Sequence, residues 1–224
     1  MTKVPVAHHC GHRQRLKDRF VLHPESVPDY ELIELLLFWF YPRRDVKAMA
    51  KDILQHHGSL HRLVHDPLDT CCPPSLKTGL VLIRECVRRI LLYDISHGPL
   101  LNNSQRVVAY CHAVMAQNDS EQFRLFFLDK KYHLILDEAH TTGTLDQVAL
   151  YPREVLKKAL SLNAASIIMV HNHPSGDPTP SRADHEITQQ LKHSLLPFGI
   201  RLLDHFVVAK RGYFSFREQG CLEA

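Results

Sequence analysis

No stretch of this 224-residue chain is apolar for the roughly twenty residues that a membrane-spanning helix needs. The longest greasy run, Leu32 to Tyr41, is broken by Glu34 and followed by Pro42, so it reads as a buried helix. The first residues, MTKVPVAHHCGHRQRL, lack the apolar segment of a secretory signal. Cys10, Cys71, Cys72, Cys86, Cys111 and Cys221 form no CxxC pair and no framework spacing. These absences lead to the expectation of a cytoplasmic protein with no helical membrane anchor and no disulfide-stapled exported domain, its thiols buried or incidental. A strong charge of either sign is also missing, since 27 Lys/Arg face 24 Asp/Glu. Residues 1–103 hold 14 Lys/Arg against 11 Asp/Glu, while residues 104–224 hold 13 against 13, so the excess positive charge is all N-terminal. Most of it lies in GHRQRLKDRF, where Arg13, Arg15, Lys17 and Arg19 face only Asp18. Such a segment permits weak contact with phosphates but is far less basic than dedicated nucleic-acid binders.

Histidine, by contrast, is abundant, with 17 residues. At that frequency a His-x-His pair is expected about once by chance, so His171 and His173 alone signify nothing. Requiring Ser181 eight residues and Asp184 eleven residues after His173 lowers the chance expectation to about 0.004. HNHPSGDPTPSRAD, from His171 to Asp184, therefore carries the strongest signal in the chain. Two histidines two apart on extended chain point to one side, and Asp184 can close a third coordination position after a loop. Three protein ligands leave a fourth position for water, the arrangement of a catalytic rather than a structural zinc site. Ser181 and Asp184 also read as a helix-capping box, which is compatible with the metal reading because it turns Asp184 back toward the strand end at His171.

Apolar residues recur at helical spacing from Tyr30 to about Tyr93, which reads as a small helical bundle. Gly58 is a candidate helix stop, and Asp29 or Asp45 could cap the helices that follow them. The polar stretch SHGPLLNN, Ser96 to Asn103, divides residues 1–98 from residues 104–224. Beyond it, helices are expected at Ser104–Ala116, PREVLKKALSL and SRADHEITQQLKHSLL, and strands at FRLFFLD, HLILDE, ASIIMV, LLDHFVVA and GYFSF. The fold class expected is α/β or α+β, with a mixed sheet, flanking helices and the metal loop at a strand end. His57, His61 and His65 read as an exposed helix face, and His8, His9, Cys10 and His12 as a phosphate-tolerant head. Asp177, between Gly176 and Pro178, reads as a turn residue, and Asp204 beside His205 as support for a ligand imidazole or a polar strand residue.

These residues resemble a known family. HNHPSGDPTPSRAD is similar to the metal motif of JAMM/MPN+ domains, and its wording resembles the RadC proteins of bacteria. The resemblance extends to GHRQRL, DYELIELLLF, RRDVKAMAKDIL, EQFRLFFLDKKYHLILDE, GTLDQVALYPREV and LLDHFVV, nearly the whole chain. It implies a helix-hairpin-helix-like N-terminal domain, a JAMM/MPN hydrolase domain, Zn²⁺ held by His171, His173 and Asp184, Glu121 as general base and Ser181 stabilising an oxyanion. Glu138 is the fallback base. The implied activity is metallopeptidase cleavage of a peptide or isopeptide bond in a peptide or protein substrate. The alternative is a DNA-binding or repair-associated protein, with a structural zinc site or one acting on phosphodiesters, making weak DNA contact through its N-terminal half. In the stretch TCCPPSLKTGL, Pro73 and Pro74 have no N–H to offer a phosphate, leaving Gly79 as the candidate turn glycine.

Overall fold

A computed structural model describes residues 8–65, 72–100, 104–116, 118–140 and 150–222. The chain forms two compact units, residues 1–86 and 87–224, and the division falls within a 23-residue helix. The first unit holds α1 (His8–Leu22), α2 (Asp29–Phe40), α3 (Lys47–His57), α4 (Leu60–His65) and the first part of α5 (Pro74–Ser96). Its core gathers Leu16, Ile33, Leu37, Val46, Ala50, Leu63, Leu76 and Leu80. Helix α2 buries the stripe Ile33, Leu37 and Phe38, whereas Trp39 is 82% exposed, so the greasy run hides one face and not its whole circumference.

Local chemistry accounts for several boundaries. Gly58 stops α3 in the left-handed conformation at φ 75°, which only glycine adopts without strain, and its N–H returns to Leu54 O at 2.8 Å. Asp45 Oδ1 accepts the Lys47 N–H at 3.0 Å at the start of α3. Asp29 is itself the first residue of α2, preceded by Pro28, so its carboxylate complements the helix dipole and does not cap. Because Gly58 separates α3 from α4, His57, His61 and His65 share no continuous face; His57 is buried with Nδ1 on Ile53 O at 2.9 Å, contrary to the expected exposed row. Gly79 lies inside α5, where a Cβ would meet the Phe40 ring at 3.1 Å, so close packing and not a turn accounts for it.

The second unit adds α6 (Ser104–Met115), β1 (Phe123–Leu128), β2 (Leu134–His140), α7 (Pro152–Ser161), β3 (Ser166–His173), α8 (Arg182–Leu195), β4 (Arg201–Ala209) and β5 (Gly212–Ser215). These match the helices and strands expected from the sequence, and the architecture is mixed α+β. The sheet order is β2-β1-β3-β4-β5, with β3 and β4 parallel and the other neighbours antiparallel. On one face, Phe123, Leu125, Ile167, Met169 and Val207 pack against Val155 and Ala159 of α7 and Leu191 and Leu195 of α8. On the other, Phe126, Ile168, Val170, Phe206 and Val208 pack against Val107, Tyr110 and Cys111 of α6 and Ile95 of α5. Burial on both faces is why β3 reads as the unbroken apolar run SIIMV. No described helix is long and apolar enough to cross a membrane.

One irregularity decides what faces the metal motif. Ile167 stands opposite Leu202 but Ile168 stands opposite Asp204, leaving Leu203 as an extra residue in β4. A bulge of this kind reverses the alternation of side chains beyond it. Leu202 accordingly packs on the α7/α8 side, as do His205 and Val207 after the bulge, while Phe206 and Val208 face α6.

Candidate metal centre

Strand β3 ends at His173, and register places His171 beside Phe123 of β1, with ring centroids 5.0 Å apart. After His173 the chain reverses through Gly176, at φ 86°, whose N–H returns to His173 O at 3.1 Å. Asp177 serves the turn as expected: its Oδ1 accepts the Thr179 N–H at 2.9 Å and hydroxyl at 2.7 Å. Its backbone carbonyl accepts from His173 Nδ1 at 2.9 Å, which assigns the ring hydrogen to Nδ1 and leaves Nε2 facing inward.

Helix α8 then opens with the expected capping box. Ser181 Oγ accepts the Asp184 N–H at 3.2 Å, while the Ser181 N–H and hydroxyl donate to Asp184 Oδ2 at 2.7 and 2.6 Å. Asp184 is thereby buried and turned toward the end of β3. His171 Nε2 lies 3.0 Å from His173 Nε2, 3.1 Å from Asp184 Oδ1 and 3.8 Å from Glu121 Oε1; His173 Nε2 lies 3.4 Å from Asp184 Oδ2. One ligand atom from each of Glu121, His171, His173 and Asp184 lies within 4.8 Å of all the others, and such a group could hold a metal ion. Exposure rises across it, from fully buried His171 through Asp184 and His173 to Glu121, whose side chain is 40% exposed, so the site opens to solvent on the Glu121 side.

Glu121 precedes β1 on a segment held by Asn172, whose Oδ1 accepts the Gln122 N–H at 2.9 Å and whose Nδ2 donates to Ser120 O at 3.1 Å and Asn118 O at 3.4 Å. The middle residue of His-Asn-His thus ties the Glu121 segment to the strand carrying both histidines. Glu138 sits elsewhere, in contact with Lys158 at 3.1 Å and His140 at 3.6 Å, and is not among the converging groups. Ser181 is placed at the helix cap with its hydroxyl hydrogen on Asp184.

Electrostatics follow from these contacts. Asp184 bonding raises the pKa of His173 above its usual value, against the effect of burial. Burial would lift the Asp184 carboxyl, but its bonds from His171, His173 and Ser181 outweigh that and hold it well below the usual carboxylate range. His205 was missed as a site neighbour. Its Nε2 lies 2.7 Å from His171 Nδ1, its Nδ1 lies 2.7 Å from Thr188 Oγ1, and burial holds its pKa well below that of free histidine. Asp204, the neighbour considered in sequence, instead accepts from Ser215 Oγ at 2.6 Å and from the His205 and Arg217 N–H groups at 2.7 and 3.0 Å. The β4 bulge makes the difference, and no pattern in LLDHFVV marks it.

Comparison with known proteins agrees with this geometry. Residues 101–221 match the family model of the RadC-like JAB domain. This chain belongs to the RadC family. A UPF0758 protein of Ruegeria pomeroyi is 39% identical over 217 residues, covering 94% of this chain and 97% of the relative. Another UPF0758 protein, from Rhodobacter capsulatus, is 43% identical over 213 residues, covering 92% and 100%. A RadC-like JAB domain with a converging His, His, Asp and Glu group fits a JAMM-type hydrolase in general terms.

Proposed function

We propose that this RadC-family chain is a zinc-dependent hydrolase that cleaves a peptide or isopeptide amide bond. One observation carries the reading: His171 Nε2, His173 Nε2 and the carboxylates of Asp184 and Glu121 converge within 4.8 Å. With the ring hydrogen of His173 directed outward to Asp177 O, its inward nitrogen is an acceptor. That nitrogen and its His171 counterpart face the Asp184 carboxylate at 3.4 and 3.1 Å, a contact that a proton on the imidazoles or a cation held among the groups can satisfy. Two imidazoles and a carboxylate suit Zn²⁺ and leave a position for water, so His171, His173 and Asp184 are the proposed ligands. Zn²⁺ bound there would act as a Lewis acid and bring the pKa of water toward neutrality.

The remaining roles belong to the chain. Glu121, at the open side and not needed to complete a three-ligand set, accepts the proton of the attacking water and passes it to the leaving amine. Ser181 holds the Asp184 carboxylate with its one hydroxyl hydrogen and would turn that hydrogen away from Asp184 Oδ2 to meet the developing oxyanion. Among the described residues there is one group of this kind, which favours amide chemistry at a single ion over the paired-ion geometry common in phosphodiester cleavage. The test is metal analysis together with hydrolysis of a peptide and isopeptide panel followed by mass spectrometry. One zinc per chain is expected, lost when His171 and His173 are both replaced and kept in Glu121→Gln, whose turnover should fall about 10²–10⁴-fold. A zinc-free parent protein, or a Glu121→Gln variant as active as the parent, sinks the reading. Phosphodiester cleavage in place of amide cleavage, abolished by the same substitution, would redirect it.

A further inference from the structure

Strands β3 and β4 run parallel, and a bulge between parallel strands is rare because it leaves one residue out of the ladder. Leu203 is that residue here. A regular pairing would instead put Leu203 opposite Ile168, Asp204 opposite Met169 and Phe206 opposite His171. Every β4 side chain beyond the bulge would then change face, and His205 would leave the side of the sheet that carries the metal motif.

Burial of apolar residues does not choose between these two registers. Strand β4 is covered on both faces, and Phe206, Val207, Val208 and Ala209 are all buried, so exchanging faces trades one apolar set for another. The polar residues must decide. Asp204 is 5% exposed, and a buried carboxylate is costly unless its oxygens are bonded. In the bulged register they are: Oδ1 accepts the His205 and Arg217 N–H groups at 2.7 and 3.0 Å, and Oδ2 accepts the Ser215 hydroxyl at 2.6 Å. In the regular register Asp204 would stand beside Met169, in the apolar cluster formed with Val155, Ala159, Leu191 and Leu195. The bonds to Ser215 and Arg217 also hold the turn after β5, and with it Phe216, whose N–H donates to His205 O at 3.0 Å and whose ring stacks on that of His205 at 4.6 Å.

We infer that Asp204 is a positioning residue: its buried carboxylate holds β4 in the bulged register and so decides that His205 faces the metal motif. There the His205 ring meets His171 Nδ1 at 2.7 Å, a contact that fixes the orientation of the His171 ring whichever nitrogen carries the hydrogen. Only the consequence for zinc rests on the metal reading proposed above; the register does not.

Asp204→Val removes the carboxylate, supplies a residue common in strands and touches no proposed ligand. Two measurements apply to the full-length protein: nuclear Overhauser contacts of the His205 ring in metal-free samples, and Zn²⁺ affinity by competition with a chromophoric chelator. The parent should show His205 against Thr188 and Phe216. Asp204→Val should exchange those contacts for contacts with α6 and bind Zn²⁺ about 10–100-fold more weakly, as when a ligand histidine loses its outer partner. Asp204→Asn, which keeps an acceptor for both N–H groups, should recover most of both. A folded Asp204→Val protein with the parent's contacts and affinity overturns the inference. Deletion of Leu203 separates register from general stability. It leaves a regular strand in which His205 already faces the motif, so Asp204→Val made in that background should fold and bind Zn²⁺ as the deletion protein does. An equal loss in both backgrounds, or a deletion protein that fails to fold or loses the His205 contacts, overturns the inference, also where Asp204→Val alone does not fold. A parent with the stated contacts but no Zn²⁺ binding refutes the metal reading and leaves the register assignment standing.

Discussion

Asn172 stands between two histidines whose rings leave one face of β3, while its own buried side chain leaves the other. It offers three side-chain hydrogen bonds to the backbone on either side of Glu121, and its own N–H adds a fourth to Gln122 O at 3.4 Å. Asn172→Ala should destabilise the protein by about 1–3 kcal/mol through the polar groups it leaves unpaired. It should also lower turnover while leaving zinc stoichiometry intact, because no proposed ligand is touched. Thermal denaturation, metal analysis and turnover on one sample check this; zinc lost with turnover preserved would reverse the assignment. The histidines and Asp184 were legible in the sequence because a spacing of two and eleven residues is improbable by chance. The role of Asn172 was not, because Gln122 lies fifty residues earlier and only strand pairing brings the two together. Glu121 fell between these cases, identified by resemblance and given a position by that clamp.

At the scale of elements, the capping box at α8 and the bulge in β4 show the two limits of reading from sequence. Ser-x-x-Asp is a local pattern whose physics is complete within four residues, so the cap and the direction of Asp184 could both be expected. Ser181→Ala should cost about 1 kcal/mol of stability by losing the cap. Because the same hydroxyl bonds Asp184 Oδ2, it should also weaken zinc binding, and Ser181→Thr should recover most of both. Chelator competition beside thermal denaturation distinguishes this from simple fraying: stability lost with unchanged zinc affinity would make Ser181 a cap and nothing more. The bulge had no such signature. Regular alternation along LLDHFVV would put His205 on the face opposite Leu202, and it is Leu203, a residue without polar function, whose insertion brings His205 under the ligands. Gly79 and His57 escaped for a related reason, since a packing contact across two helices and a helix break at Gly58 are each decided outside their own periodic pattern.

For the molecule as a whole, the titrating groups around the centre set how stability responds to acidity. His205 is buried with its pKa lowered, so its contribution is complete above about pH 6.5 and is lost as pH falls below the value of the free residue. His173 has its pKa raised, so its contribution is present below about pH 6.5 and is lost as pH rises through the raised value. Asp184, held low, adds a loss only below about pH 4. Metal-free protein should therefore be most stable near pH ~6.5, and saturating Zn²⁺, which requires unprotonated imidazoles, should extend the plateau to the alkaline side. Thermal denaturation against pH, with chelator and with Zn²⁺, checks this; identical profiles would count against it. The N-terminal unit bears on the DNA alternative in the same quantitative way. Of the four basic residues in its first helix, Arg13 donates to the carbonyls of Tyr41 and Arg44 and stacks on Phe38 at 4.3 Å, and Arg19 pairs with Glu31. Arg15 and Lys17 remain exposed. Two phosphate contacts give a slope of log affinity against log salt near −1.8 and leave duplex binding at the weak, non-specific end, with Kd about 10⁻⁴ M at physiological salt. Fluorescence anisotropy on duplex DNA across a salt series should give that shallow slope, and Arg15→Gln with Lys17→Gln should abolish it. A slope steeper than about −4 would mean that further residues engage DNA and would restore nucleic acid as a principal partner.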